Sequence, residues 1–283
     1  ISSSRTLSDC FSKNARRALM WSATMPANIA LIKYMGKSEN NQPLNNSLSY
    51  TCSRFTATVN LTLDHDDSWE TDHFSLPAQK RFLNHLRQLK AFNNDGRCFR
   101  IDSKTHFPAH CGLASSAASF AALTQAYCNS LSSSIDLQQC AAWSRMGSGS
   151  SCRSFLEPWV QWGQEGIVQI DIPYTIHHAV IVIDAQPKKV GSSLAHQRVN
   201  RLPNIHERID RANSRLKQLI AMFHVKKWSQ AVSLCWDEFQ DMHQLFEQCT
   251  PPFRYIEKPS LDALDHLKRV SDCEGDSPII HFR

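Results

Sequence analysis

A chain of 283 residues with 42% hydrophobic and 20% charged side chains can bury roughly three quarters of its unfolded surface, in one large domain or two. No apolar run approaches the roughly 18 residues needed to cross a bilayer, so no membrane-spanning segment is expected. The formal charge of +5 mildly favours anionic ligands, but Lys and Arg are scattered without a basic block, and nothing points to nucleic acid.

Residues 1–20 are rich in Ser and Arg, have Asp9 as their one acidic residue and lack an apolar stretch of secretory type. A loosely ordered N-terminal arm is the expectation. Ten cysteines form no C-x-x-C pair and no close Cys/His cluster of zinc spacing; they read as free thiols of a cytosolic protein.

The first predicted strand covers 28–34, where Ile29, Leu31 and Lys33 share one face and Ala30, Ile32 and Tyr34 the other. Lys33 thus continues an apolar face, and either snorkels from the strand end or points at an anion. Gly36 and Lys37 end the strand, and a polar loop follows through Asn46. Strand pairing is predicted over 48–63, with Phe55, Ala57, Val59, Leu61 and Leu63 on one face. The acidic run at 64–72 lacks EF-hand spacing and reads as a solvated loop rather than a calcium site. A helix is expected over 77–93 and a short strand over 98–102.

The run FPAHCGLASSAASF at 107–120 is a glycine-containing loop feeding the first turn of a helix predicted over 114–131. Unpaired N–H groups and the positive end of the helix dipole suit a phosphate there. The alternative is that Ala114, Ala117 and Ala118 are small because another element packs closely. The run is neither a Walker loop nor a dinucleotide fingerprint. Asp136 is a candidate N-cap for a helix ending near Met146. The run SRMGSGSSCRSF at 144–155 then combines backbone freedom at Gly147 and Gly149 with hydroxyls at Ser148, Ser150 and Ser151. Arg153 adds a guanidinium fork suited to an oxyanion. Strands are predicted at 159–162, 166–172 and 178–184, and helices at 205–223, 228–246 and 261–270, with a last strand at 278–281. The change of character near Ala185 suggests an α+β first part, 21–185, and a mainly helical second part, 186–283.

Taken in order, PANIALIKYMGK, FPAHCGLASSAASFAAL, GSGSSCRS and DMHQLFEQCTPPFRYI resemble the diphosphomevalonate decarboxylases of the GHMP small-molecule kinase superfamily. The resemblance spans residues 22–281. It implies an α+β GHMP kinase fold: an N-terminal domain like ribosomal protein S5 domain 2, a ferredoxin-like C-terminal domain, and a site in the cleft between them. It also implies ATP and Mg²⁺, a mevalonate 5-diphosphate substrate and a homodimer. The implied reaction phosphorylates the tertiary hydroxyl, after which phosphate and carbon dioxide leave to give isopentenyl diphosphate. By the same resemblance Gly112, Leu113, Ala114, Ser115 and Ser116 cradle the ATP phosphates, with Ser115 or Ser116 near Mg²⁺. Tyr34, Lys37, Ser148, Ser150, Arg153 and Arg198 hold the substrate, and Lys33 lies by the transferring phosphoryl group as the catalytic lysine.

Three departures stand out. Met35 replaces a family Trp, which is expected to loosen packing around Tyr34 and Lys37. Glu157 and Pro158 replace two glycines, and Arg198 is displaced from the family arginine. The family's catalytic aspartate, in a D-A-G-P-N run after a strand resembling 277–281, is not identifiable. Either a further segment carries it or the chain does without. Without that carboxylate, a related kinase that does not decarboxylate and a noncatalytic nucleotide- or isoprenoid-binding paralogue remain alternatives.

Overall fold

The protein is seen here as a computed structural model that describes residues 19–70, 75–108, 113, 115–177, 179–183 and 189–274. Its axis is an 18-residue strand, β2 (Ser47–Asp64). Small and β-branched residues alternate along it, so Ala57, Val59 and Leu61 are buried while Thr56, Thr58 and Asn60 between them are less so. This is the predicted half-buried pattern. One edge of β2 pairs antiparallel with β1 (Met20–Ile32). The other edge is shared: β4 (Cys98–Thr105) takes the stretch from Ala57 to Asp64, and β5 (Trp159–Gly163) takes Ser47 to Tyr50. The short β3 (Ser68–Trp69) pairs parallel with β4, and β6 (Gly166–Gln169) continues from β5. Met20 and its neighbours belong to β1, so that strand starts eight residues before its predicted beginning; residues 1–18 of the expected arm lie outside the described residues.

Helices α1 (Leu76–Phe92), α2 (Ser115–Ser130) and α3 (Leu137–Gly147) lie close to their predicted bounds. Asp136 does cap α3, its carboxylate accepting the Gln139 N–H at 2.8 Å. Helix α2 is buried nearly all round, from Ala117 and Ala118 to Tyr127 and Cys128. It is clasped by β1, β2, α3 and a 3₁₀ helix, and a run of alanines is what lets four elements approach one helix. Phe120 of α2 stacks on Phe82 of α1 at 4.3 Å in the same core as Leu61, Phe99 and Ile101. Asp67, in the acidic loop, accepts the Phe99 N–H at 3.0 Å and pairs with Lys90 at 2.7 Å. Among the described residues no group of acids, His and Cys could hold a metal ion.

The second part begins with α4 (Ser192–Val199), a helix the sequence reading did not place, followed by α5 (Ile205–His224), α6 (Trp228–Gln248) and α7 (Lys258–Glu274). The strand predicted over 178–184 is not formed at residues 179–183. Ile181 and Val182 are exposed there, and β-branched residues make a strand only where an edge offers partners. The expected boundary at Ala185 and the strand at 278–281 lie outside the described residues. Apolar contact is continuous between the two parts: Ile32, Leu48 and Trp159 share a core with Ala212, Leu216, Leu219 and Phe223.

Among the described residues no helix is long and apolar enough to cross a membrane.

Candidate functional site

The β1 ladder ends where Ile32 faces Leu48. From there the main chain is held by side chains. Asn45 donates from Nδ2 to the Lys33 carbonyl at 2.9 Å and accepts the Met35 N–H at 3.2 Å. The Lys33 N–H goes to Glu238 on α6 at 3.0 Å. The Gly36 N–H goes to His196 Nδ1 on α4 at 3.1 Å. Asn200 brackets Lys37, accepting its N–H at 3.1 Å and donating to its carbonyl at 2.6 Å. Gly36 has φ of 88°, a conformation that favours glycine, and a Cβ there would meet Leu44 at 2.8 Å. Five successive residues are thereby presented in fixed order.

Tyr34 is wedged between Trp162, edge-on at 4.6 Å, and His196, stacked at 4.8 Å. The expected loosening by Met35 does not occur. Met35 is buried and packs with Ala195, Val199, Met242 and Phe246, and the His196 ring supplies the flat surface against Tyr34. Because His196 accepts the Gly36 N–H it must be neutral, and burial, with Lys37 nearby, lowers its pKa to about 3.

The Ser/Arg run folds as a 3₁₀ helix, Gly149–Phe155. A Cβ on Gly149 would fall on the Tyr34 hydroxyl, so glycine is what allows these two segments to meet. Asn28 of β1 is fully buried and donates to the Ser150 carbonyl at 3.1 Å and to Ser154 Oγ at 2.9 Å. Ser151 Oγ donates to the Ser148 carbonyl at 2.6 Å. Arg153 is buried, reaches Ser47 Oγ at 3.3 Å, and lies over the rings of Tyr34 at 5.7 Å and Trp162 at 5.8 Å. Lys37 donates to Asn41 at 2.6 Å, and Asn41 in turn donates to the Arg145 and Met146 carbonyls at 2.9 and 3.0 Å. Burial, and then the charge of Arg81, lower the pKa of Lys37. Arg81, on α1, donates to the Gly147 carbonyl at 3.2 Å. The result is a group of amides, hydroxyls and three cationic side chains, Lys37, Arg81 and Arg153, in which the Arg81 charge is felt by Lys37.

Of the predicted set, Lys33, Tyr34, Lys37, Ser148, Ser150 and Arg153 lie on elements that converge in this way. Ser115 is half-buried and Ser116 exposed in the first turn of α2, next to the buried Leu113, whereas Gly112 and Ala114 lie outside the described residues. Two hydroxyls at a helix N-terminus fit a nucleotide phosphate, and as oxygen donors they would suit a Mg²⁺ bound with it. Arg198 is not brought into the group: it donates to the Pro251 carbonyl at 3.1 Å and lies over Phe253 at 5.4 Å. His196, two residues earlier on α4, is the side chain that accepts the Gly36 N–H. Sequence reasoning also missed Arg81, which looks like any solvent-facing helix residue, and Asn41 and Asn45, hidden in a loop noted only as polar. A run of two asparagines in a short loop between strands could have flagged main-chain capping. Nothing local marks Arg81 or His196, whose roles depend on partners 66 and 160 residues away.

Comparison with known proteins gives the family. The family model described as the diphosphomevalonate decarboxylase-like N-terminal domain matches residues 25–169. The diphosphomevalonate decarboxylase of Candida albicans is 25% identical over 285 residues, covering 89% of this chain and 79% of that protein; the human protein of the same name is 25% identical, covering 91% and 72%. The crystal structure of a mevalonate diphosphate decarboxylase from Legionella pneumophila superposes with a TM-score of 0.86 at 42% identity, over 93% of this chain and 90% of that one. The complex of MDDEF with MVAPP, AMPPCP and magnesium superposes with a TM-score of 0.80 at 25% identity, over 91% and 84%. The fold is the GHMP kinase fold of these structures, and the chain belongs to the diphosphomevalonate decarboxylase-like family.

Proposed function

We propose that the protein is an ATP-dependent decarboxylase that converts mevalonate 5-diphosphate to isopentenyl diphosphate. The tertiary hydroxyl oxygen attacks the γ-phosphorus, its proton passes to solvent, and ADP leaves. The C–O bond to the new phosphate then breaks as the electron pair of the carboxylate C–C bond becomes the double bond, releasing carbon dioxide. The observation that carries the reading is the meeting of Tyr34 and Asn41 with Gly149, with Arg153 over the Tyr34 ring and Lys37 bonded to Asn41, in a chain of this family. Family resemblance alone supplies the substrate's name; the chemistry of the cluster supports a diphosphate, since Lys37 and Arg81 repel each other and cationic donors favour a multiply charged anion.

In this reading Lys37, Arg81 and Arg153 take the diphosphate with Ser148 and Ser150, and Tyr34 orients the mevalonate end. Arg198 joins them only on release from Pro251. Lys33 stands beside the transferring phosphoryl group and stabilises its charge. The α2 N-terminus and Ser115 or Ser116 take the nucleotide phosphates, and Mg²⁺, when bound, neutralises their charge. The complex of MDDEF with MVAPP, AMPPCP and magnesium supports the pairing of these ligands. A cytoplasmic homodimer completes the reading; seven described cysteines are free thiols, which supports a reducing compartment.

The test supplies mevalonate 5-diphosphate, ATP and Mg²⁺ and follows both ADP and carbon dioxide. Release of both supports the decarboxylase; release of neither contradicts it, and ADP alone identifies a kinase.

A further inference from the structure

Lys33 is the first residue past the β1 ladder, and both of its main-chain polar groups are taken by side chains. Its N–H donates to Glu238 Oε1 at 3.0 Å, and its carbonyl accepts from Asn45 at 2.9 Å and from Arg208 Nη2 at 3.4 Å. Arg208 and Glu238 are themselves an ion pair, each side chain fully buried. Glu238 Oε2 is held by Arg215 at 3.1 Å, and Arg215 and Arg211 both reach Asp241, at 2.7 and 2.9 Å. Positions 208, 211 and 215 share one face of α5, and 238 and 241 share the facing side of α6. A network tying α5 to α6 could satisfy itself without β1. Here it also grips the N–H and the carbonyl of one strand-end residue.

We propose that Glu238, backed by Arg208, is a positioning residue for phosphoryl transfer: it fixes the Lys33 main chain at the end of β1 and so sets where the ammonium stands. This rests on the reading of Lys33 as the lysine beside the transferring phosphoryl group. A catalytic charge that wanders by about 1 Å can lose on the order of 100-fold in rate. Glu238 therefore acts through reach rather than through charge alone. Glu238→Asp keeps the charge and withdraws the oxygen by one methylene; Glu238→Gln keeps an acceptor at full length and gives up the charge.

The experiment measures kcat, both KM values and thermal midpoint in the full chain, with mevalonate 5-diphosphate, ATP and Mg²⁺. Glu238→Asp is expected to lower kcat more than tenfold with both KM values within about threefold and a midpoint near that of the unaltered chain. Glu238→Gln is expected to lower the midpoint further while keeping kcat within about fivefold. Arg211→Met, which touches the network but not Lys33, is expected to lower the midpoint and leave kcat unchanged. If kcat follows the thermal midpoint across the three variants, the network is only structural and the proposal falls. Lys33→Met separates the two levels: if it keeps full kcat, the reading of Lys33 itself is wrong, whereas an inactive Lys33→Met beside a fully active Glu238→Asp overturns the clamp alone. Hydrogen exchange on the unaltered chain needs no variant. The Lys33 amide is expected to exchange as slowly as the amides inside β1, and exchange at the rate of the following loop would also overturn the proposal.

Discussion

Arg153 illustrates how much a single residue carries. Its guanidinium is buried against Tyr34 and Trp162, so little rotamer freedom is left to lose on binding. Arg153→Ala should raise the KM for the diphosphate substrate by roughly 10- to 150-fold, about 1.5–3 kcal/mol for a charged hydrogen bond. An unchanged KM in the folded variant would show that the arginine only fills space. Arg153→Lys should not restore affinity, because an ammonium cannot present a planar fork between two rings. Histidine protonation gives a second prediction at this scale. Burial holds His196 near 3 and, with a smaller push from Arg81, His85 near 4. Both values lie below the ordinary 6.5, so on acidification the unfolded chain takes up these protons first. Stability is therefore complete above about pH 6.5 and is lost as pH falls toward 4, by roughly 1.4 kcal/mol per pH unit for each histidine. Denaturant midpoints at pH 7.5 and 5 should differ accordingly, and His196→Asn should reduce the dependence by about half; a midpoint flat over this range contradicts the neutral, amide-accepting ring.

At the scale of elements, the meeting of the 3₁₀ helix with the end of β1 depends on a missing side chain. Gly149→Ala places a methyl group on the Tyr34 hydroxyl, and either Tyr34 or the 3₁₀ helix must move. Substrate affinity should fall at least tenfold while the helix content is retained, as circular dichroism and a KM measurement would show together. The α5–α6 contact makes a different prediction. Arg208→Ala leaves Glu238 buried with Arg215 as its remaining cationic partner, which should destabilise the fold by about 3–5 kcal/mol; loss of under 1 kcal/mol in urea denaturation would mean that solvent reaches the pair. These elements differ in how far the sequence betrays them. Strand β2 and helices α1, α3, α5 and α6 follow from local periodicity, because their faces alternate between core and solvent. Helix α2 is legible in position but not in environment, since all-round burial erases the moment that marks an amphipathic helix. The residues 179–183 carry a β-branched run that pattern alone cannot tell from a paired strand. Contacts such as Lys33 with Glu238, 205 residues apart, leave no trace in any window of sequence.

At the scale of the whole molecule, β2 does the organising. Its length lets β4 and β5 share one edge, which brings the α1–α2 core and the Ser/Arg 3₁₀ helix to opposite ends of a single strand. The helices beyond residue 189 complete the arrangement by docking α4, α5 and α6 on the end of β1. The cationic group thus draws on α1, the loop after β1 and the 3₁₀ helix at once, with α4 holding that loop through His196, and no segment on its own would concentrate enough charge to hold a diphosphate. In the proposed reaction that arrangement carries out both phosphorylation and loss of the carboxylate. The most direct measurement is the ratio of carbon dioxide to ADP released from carboxyl-labelled mevalonate 5-diphosphate with ATP and Mg²⁺. One carbon dioxide per ADP is the predicted result; ADP formed with no carbon dioxide would contradict it.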